Sequence, residues 1–255
     1  MKEVAKLLPQ YSYVYLWDNA RTPYGNRNQE EIYQFTSEGV RELFERGAQL
    51  IILACNTSSS NALRQIQQEF LPANFPEKKV LGIIIPTAEE IGRFTYTGEI
   101  GVLATEATVA SLVYPKEIAK TNPHIKVYER ACPLFVPAIE TGEVDSPAFD
   151  KLIEEYLGGL FSQSGQIDAV LLGCTHYAII EGKIKNHLPQ KVNLVSQGPI
   201  VAEKLKGYLT HHPEIDSKLK KNGERIFLST ENSKKVKSLS SLFYGEPVKI
   251  ELVKL

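Results

Sequence analysis

Short runs of β-branched and aliphatic residues alternate along this chain with longer stretches in which apolar positions recur every three or four residues. That alternation is the signature of parallel strands joined by crossover helices. Strands are expected at Tyr11–Leu16, Leu50–Ala54, Val80–Ile85, Ile100–Ala104, Ile125–Tyr128, Ala169–Leu172, Asn193–Val195, Arg225–Leu228 and Val248–Leu252. Several are apolar at every position, as for strands covered by helices on both faces. Helices are expected at Gln29–Arg46, Ser60–Phe70, Ser111–Lys120, Ala148–Phe161, Glu181–Leu188, Pro199–Leu209 and Ser233–Phe243; in the first, Ile32, Phe35, Val40 and Leu43 keep helical spacing. The pattern reads as an α/β fold of two halves that exchange near Pro86 and again near Ser196. Residues 1–86 with 197–255 would form the first α/β domain, and 87–196 the second. The chain opens on an amphipathic scrap, Lys2–Leu8, although an α/β unit normally begins with the strand that feeds such a helix. A first strand and its loop are therefore expected to be missing.

Composition narrows the class. Of 255 residues, 43% are apolar, enough for a sizeable core, and 29 basic side chains balance 30 acidic ones. With no basic stripe and no acidic tail, neither a nucleic-acid partner nor a disordered segment is expected. The start is too short and too charged for a signal peptide. No run approaches the roughly 20 apolar residues of a membrane span. Three cysteines make no disulfide framework. The expectation is a soluble cytoplasmic protein with free thiols.

Two stretches then stand out. Leu50-Ile51-Ile52-Leu53-Ala54-Cys55-Asn56-Thr57 and Ala169-Val170-Leu171-Leu172-Gly173-Cys174-Thr175-His176 share one order: apolar run, small residue, cysteine, two polar residues. In a doubly wound sheet, ligands bind beyond the carboxyl ends of the strands, where both cysteines fall. Small polar residues after Cys55, with Ser58–Ser60 as expected helix caps, leave backbone N–H groups that suit a carboxylate and favour thiolate. His176 stands two residues from Cys174 and can hold or shuttle its proton. The plainer reading is that each cysteine merely closes a buried strand; the matched polar sequels argue against it. Cys-x-His is a poor zinc pattern, because structural zinc takes four ligands with paired spacing, so no metal is expected. Cys132, in Arg130-Ala131-Cys132-Pro133, has no partner motif and reads as packing.

These residues resemble the glutamate racemases, within the aspartate/glutamate racemase superfamily. Asp18-Asn19-Ala20-Arg21-Thr22-Pro23-Tyr24-Gly25 is similar to that family's substrate loop, and the two cysteine stretches to its catalytic loops. The stretch Ile100–Thr105, with Thr108, Val109 and Ser111, matches too, as does Cys132–Pro137 leading to Glu140. The resemblance implies two similar doubly wound α/β domains with pseudo-two-fold symmetry and the active site in the cleft between them. It implies cofactor-independent racemisation of glutamate by Cys55 and Cys174, one removing the Cα proton and the other delivering a proton to the opposite face. An acid and a base on opposite sides invert the carbon, and the reverse reaction swaps their roles, which accounts for the duplication. Pro23, Tyr24, Gly25, Asn56, Thr57 and Thr175 would hold the substrate, with His176 and Glu140 on the Cys174 side. Asp18 and Arg21 read as structural in their loop. D-Glutamate supply for peptidoglycan and, in many relatives, a homodimer are further implications.

One departure matters. The family opens with a strand ending in Asp-Ser-Gly-x-Gly-Gly, whose aspartate supports the first thiol, and no such motif occurs here. The natural chain is expected to begin further upstream; an inactive amino-acid-binding descendant and a substitute carboxylate are the alternatives. Turnover by this chain is expected to be severely reduced in both directions. Rival readings are an aspartate, hydantoin or maleate enzyme of the same superfamily and a non-catalytic binder of acidic amino acids. A redox role would call for Cys-x-x-Cys, which is absent.

Overall fold

A computed structural model describes residues 1–255. Its strands are β1 (Tyr13–Trp17), β2 (Leu50–Leu53), β3 (Lys79–Gly82), β4 (Glu99–Ala104), β5 (Lys126–Ala131), β6 (Ala169–Gly173), β7 (Asn193–Val195), β8 (Arg225–Ser229) and β9 (Ile250–Leu252). Every pairing is parallel. The helices that matter below are α1 (Lys2–Leu7), α2 (Gln29–Glu45), α3 (Asn56–Asn61), α4 (Ile84–Glu90), α5 (Glu106–Ser111), α6 (Val113–Thr121), α7 (Phe135–Thr141), α8 (Pro147–Phe161), α9 (Glu181–His187), α10 (Gln197–His211) and α11 (Lys234–Tyr244). The chain thus forms two α/β halves.

The second half holds a continuous sheet in the order β5-β4-β6-β7. Both faces are covered. Leu103, Val170 and Leu172 pack with Phe135, Ile153, Leu160 and Tyr177 on one side, and Val102, Ala169 and Leu171 with Ile84, Tyr114 and Ile118 on the other. The first half is different: β1-β8-β9 and β2-β3 are separate sheets. Like β6, β2 leads into its cysteine, and like β7, β3 is its outer neighbour. β1 pairs with β8 and not with β2. Helices bridge the interruption: α1 and α10 pack on Tyr13 of β1 and on Leu50 and Ile52 of β2.

Local chemistry sets the helix limits. Asn28 and Glu31 form a reciprocal capping box at the start of α2. Ser146 caps α8 ahead of Pro147, and α7 ends on Gly142 with positive φ. Three expected elements come out otherwise. The run Val80–Ile85 leaves the strand at Gly82, where a Cβ would stand 2.6 Å from Leu63, and its last isoleucines begin α4. The helix expected over Ser60–Phe70 starts earlier, breaks at Ala62 and passes through a π turn at Ile66–Phe70. The helix expected over Ser111–Lys120 is divided by Leu112, whose φ is +52°. α7, with a proline inside it, was not expected.

Candidate active site

The parallel register places the site. Leu53 pairs with Gly82, so Ala54 and Cys55 emerge at the carboxyl end of the first half. Ala104 pairs with both Ala131 and Gly173, so Thr105, Cys132 and Cys174 emerge together at the same end of the second.

Cys55 is half-buried and occupies the N-cap position of α3. Ser58–Ser60 lie inside that helix rather than capping it: Ser59 Oγ donates back to the Leu53 carbonyl at 2.9 Å and Ser60 Oγ to that of Thr57 at 3.1 Å. Asn56 and Thr57 are buried and turned toward the other half. Thr57 Oγ1 lies 3.0 Å from Thr105 Oγ1, which lies 3.0 Å from Thr108 Oγ1. Asn56 is held by Tyr114 and Gln197.

Cys174 is buried at the end of a strand buried along its whole length. Burial pushes its thiol up to about 12, while the backbone N–H groups of His176 and Tyr177 oppose the shift. Cys55 and Cys174 are both free thiols. His176 Nε2 lies 3.3 Å from Glu140 Oε1. Bonding to His176 and the nearby Lys235 hold the Glu140 carboxyl below the usual carboxylate range against burial. Thr175 is exposed at the head of the following turn.

Two neighbours here escaped the sequence reading. Lys235 Nζ lies 3.7 Å from Glu140 Oε2, and the Phe243 ring meets His176 edge-on, with centroids 5.1 Å apart. Both come from α11, remote in sequence and without a motif, so no local signal marks them.

The Asp18–Gly25 loop forms the remaining wall. Trp17 pairs with Ser229, which sets Asp18 beside Thr230. Asp18 accepts from Arg21 Nε at 2.6 Å, from Thr230 Oγ1 at 2.9 Å and from the Tyr24 hydroxyl. Asp18 and Arg21 therefore organise the loop, as expected. Burial and the Asp18 carboxylate keep Tyr24 protonated, and its ring packs on Phe35 at 5.8 Å. Pro23 follows a cis peptide bond, and Gly25 presses so closely on the second half that a Cβ would stand 2.8 Å from Thr105 Cβ. Thr105 thus touches both the Gly25 loop and the Cys55 loop. Cys132 stays outside this arrangement. It is buried, its thiol is raised by that burial, and Sγ donates to the Arg130 carbonyl at 3.5 Å.

The arrangement brings two thiols to matching strand ends of two halves, with an imidazole–carboxylate pair beside one of them. Asp18, the carboxylate of the Gly25 loop, is bound to Arg21, Tyr24 and Thr230. Such a site suits proton transfer by opposed acid–base groups.

Residues 1–205 match the profile of the Asp/Glu/hydantoin racemase family. A glutamate racemase from Jannaschia sp. is 34% identical over 260 residues, spanning 98% of this chain and 93% of the relative. Among solved structures, glutamate racemase isoform RacE1 from Bacillus anthracis superposes with a TM-score of 0.88 at 29% identity, covering 99% of this chain and 91% of that one. The glutamate racemase of Francisella tularensis, solved with D-glutamate, gives a TM-score of 0.86 at 31% identity over 99% and 91% of the two chains. In sequence and in architecture alike, this chain belongs to the Asp/Glu/hydantoin racemase family.

Proposed function

We propose that the chain acts on glutamate, exchanging the Cα proton between Cys55 and Cys174 on opposite faces of the carbon, and that its product serves cell-wall synthesis in the cytoplasm. The observation that carries this reading is the pair of thiols at the carboxyl ends of matching strands, with Thr57 beside one of them bonded to Thr105 of the other half. Relatives named glutamate racemase match over nearly the whole chain, and one was solved with D-glutamate. In this reading one thiolate removes the Cα proton while the opposing thiol delivers its own. His176, oriented by Glu140, manages the proton of Cys174. Pro23, Tyr24 and Gly25, with Asn56, Thr57 and the exposed Thr175, shape the pocket for the amino and carboxylate groups. The domain division at 86 and 196 and a homodimer belong to the same proposal. Ile84, Ala88 and Ile91 pack with Tyr114 and Ile118, which supports a crossing near the start of α4.

Deuterium wash-in at Cα of D- and L-glutamate, followed by NMR in D2O, tests the reading. Slow exchange on both enantiomers is the expected result, with interconversion of the two lost in either cysteine variant. Exchange on aspartate or a hydantoin but none on glutamate would overturn it. One observation favours a second reading, a non-catalytic binder of acidic amino acids: Asp18 is bound within its own loop and leaves Cys55 without its help. Glutamate that protects the thiols from alkylation without any exchange would select that alternative.

A further inference from the structure

The residue that follows Cys55 is tied into a closed ring of hydrogen bonds. Asn56 Nδ2 donates to Gln197 Oε1 at 2.7 Å, Gln197 Nε2 donates to Tyr114 Oη at 2.7 Å, and Tyr114 Oη donates to Asn56 Oδ1 at 2.6 Å. Gln197 Nε2 also reaches Thr87 Oγ1 at 3.1 Å. All four side chains are buried, with Tyr114 and Thr87 at 0% exposure. The ring runs head to tail, so each donor faces an acceptor; Thr87 Oγ1 donates to the Ile83 carbonyl at 2.8 Å and so accepts from Gln197 Nε2, which fixes the direction of the circuit. Neither Tyr114 nor Gln197 belongs to a recognisable motif.

The ring joins four segments. Asn56 opens α3 in the first half, Tyr114 lies on α6 in the second, Thr87 lies on α4 where the chain crosses over, and Gln197 begins α10 where it returns. We propose that this ring is a positioning device: Tyr114 and Gln197 clamp the Cys55 loop to the second half and so set the approach of one thiol to the other. The proposal deepens the two-thiol reading and rests on it for its kinetic readout alone. A second, separate tie points the same way, since Thr57 is linked to Thr105 and Thr108 of the second half. Thus both residues after Cys55 take their placement from the opposite half, while the cysteine backbone belongs to the first. Rotation of one half against the other would stretch these bonds. Packing alone would be served as well by apolar side chains of the same volume, whereas a closed polar circuit in a buried interior specifies one arrangement.

The test uses the full chain with Tyr114→Phe, Gln197→Met and the double variant. Each keeps the approximate volume of the native side chain, and Tyr114→Phe removes a single oxygen. Iodoacetamide modification is followed at Cys55 and Cys174 separately by peptide mass spectrometry, beside thermal melting and the kinetics of Cα exchange. With the ring broken, Cys55 modification should quicken about threefold or more while Cys174 stays within about twofold. kcat should fall about tenfold or more with KM changed by less than about threefold. Because the ring acts as a unit, the double variant should be about as impaired as the worse single one. Variants that melt earlier, yet while folded keep native kcat and native Cys55 reactivity, would reduce the ring to a stability element and overturn the proposal. If the wild-type protein shows no exchange on glutamate, the substrate reading fails, and the Cys55-to-Cys174 modification ratio still decides for or against the clamp.

Discussion

Replacing Gly25 by alanine tests whether the substrate-loop segment is docked as described. A Cβ at this position would stand 2.8 Å from Thr105 Cβ and 2.9 Å from Thr105 Cγ2. Carbon atoms in contact normally keep about 3.5–4.0 Å, so close to 1 Å must be found. Thr105 has little freedom to yield, because its Oγ1 is shared with Thr57 and Thr108 and its backbone, directly after β4, is the N-cap of α5. The Gly25 backbone is not in the left-handed region, so the whole cost is steric. Overpacking of this kind costs about 1–3 kcal/mol. For a chain of this size each kcal/mol lowers Tm by roughly 2–4 °C, giving a fall of roughly 2–12 °C. Thermal unfolding by circular dichroism reads that fall. Cα exchange should drop more steeply than stability, since the wedge opens between two walls of the site. Thr105→Ser, which deletes the methyl at 2.9 Å and keeps the hydroxyl, should recover part of the loss in the double variant. A Gly25→Ala protein that melts within 1 °C of the wild type and exchanges normally would refute the docking (about 1 °C being below the smallest fall expected).

The remaining predictions concern the thiols and the carboxylate. Cys55→Ser and Cys174→Ser should each suppress interconversion of D- and L-glutamate by roughly 10²–10⁴-fold, since inversion in either direction uses both groups; a single variant that still interconverts the enantiomers at the wild-type rate would break the two-base scheme. Burial holds the Cys174 thiol up to about 12, so its iodoacetamide modification should keep rising with pH through about pH 10, and a plateau below about pH 9 would contradict the burial argument. Glu140→Gln should cost on the order of 1 kcal/mol at neutral pH, because the His176 and Lys235 contacts are lost. The folded carboxyl lies below its unfolded value of about 4.3, so its contribution is present above that value and lost as pH falls through the folded one. The melting difference between wild type and Glu140→Gln should therefore shrink in acid, and a difference that persists unchanged at about pH 2 would contradict the assignment.

Much of this architecture is legible in the chain because parallel strands buried on both faces are written as unbroken apolar runs. β4 and β6 fall where those runs fall, and the register brings Cys55 and Cys174 to strand ends as their positions in the runs imply. The same feature explains the errors. An apolar run does not distinguish a buried strand from the first turn of a buried helix, so Ile83–Ile85 reads as a continuation of β3 although Gly82 ends the strand. Leu112 splits a helix by a backbone conformation that no residue type announces. The site divides likewise. Residues adjacent to the cysteines were visible through the repeat, whereas Lys235, Phe243, Tyr114 and Gln197 arrive from segments distant in sequence. Their roles exist only through tertiary contact.

The interruption between β1 and β2 has a consequence for how the two halves hold together in time. β4 is flanked by β5 and β6, so its amides are covered from both sides, whereas β1 and β2 each have a neighbour on one side only. Amide protons along the two open edges should exchange with solvent through small local openings, while those of β4 wait for global unfolding. The halves should then open as two units of unequal protection, with Cys174 on the better protected one and Cys55 on the other. Trp17, the single tryptophan, sits on the less protected unit and stacks on Phe227 at 5.9 Å, so its emission reports the opening of that unit alone. One thiol is thereby anchored in a rigid frame, and its opposite number rides on the part of the molecule that breathes.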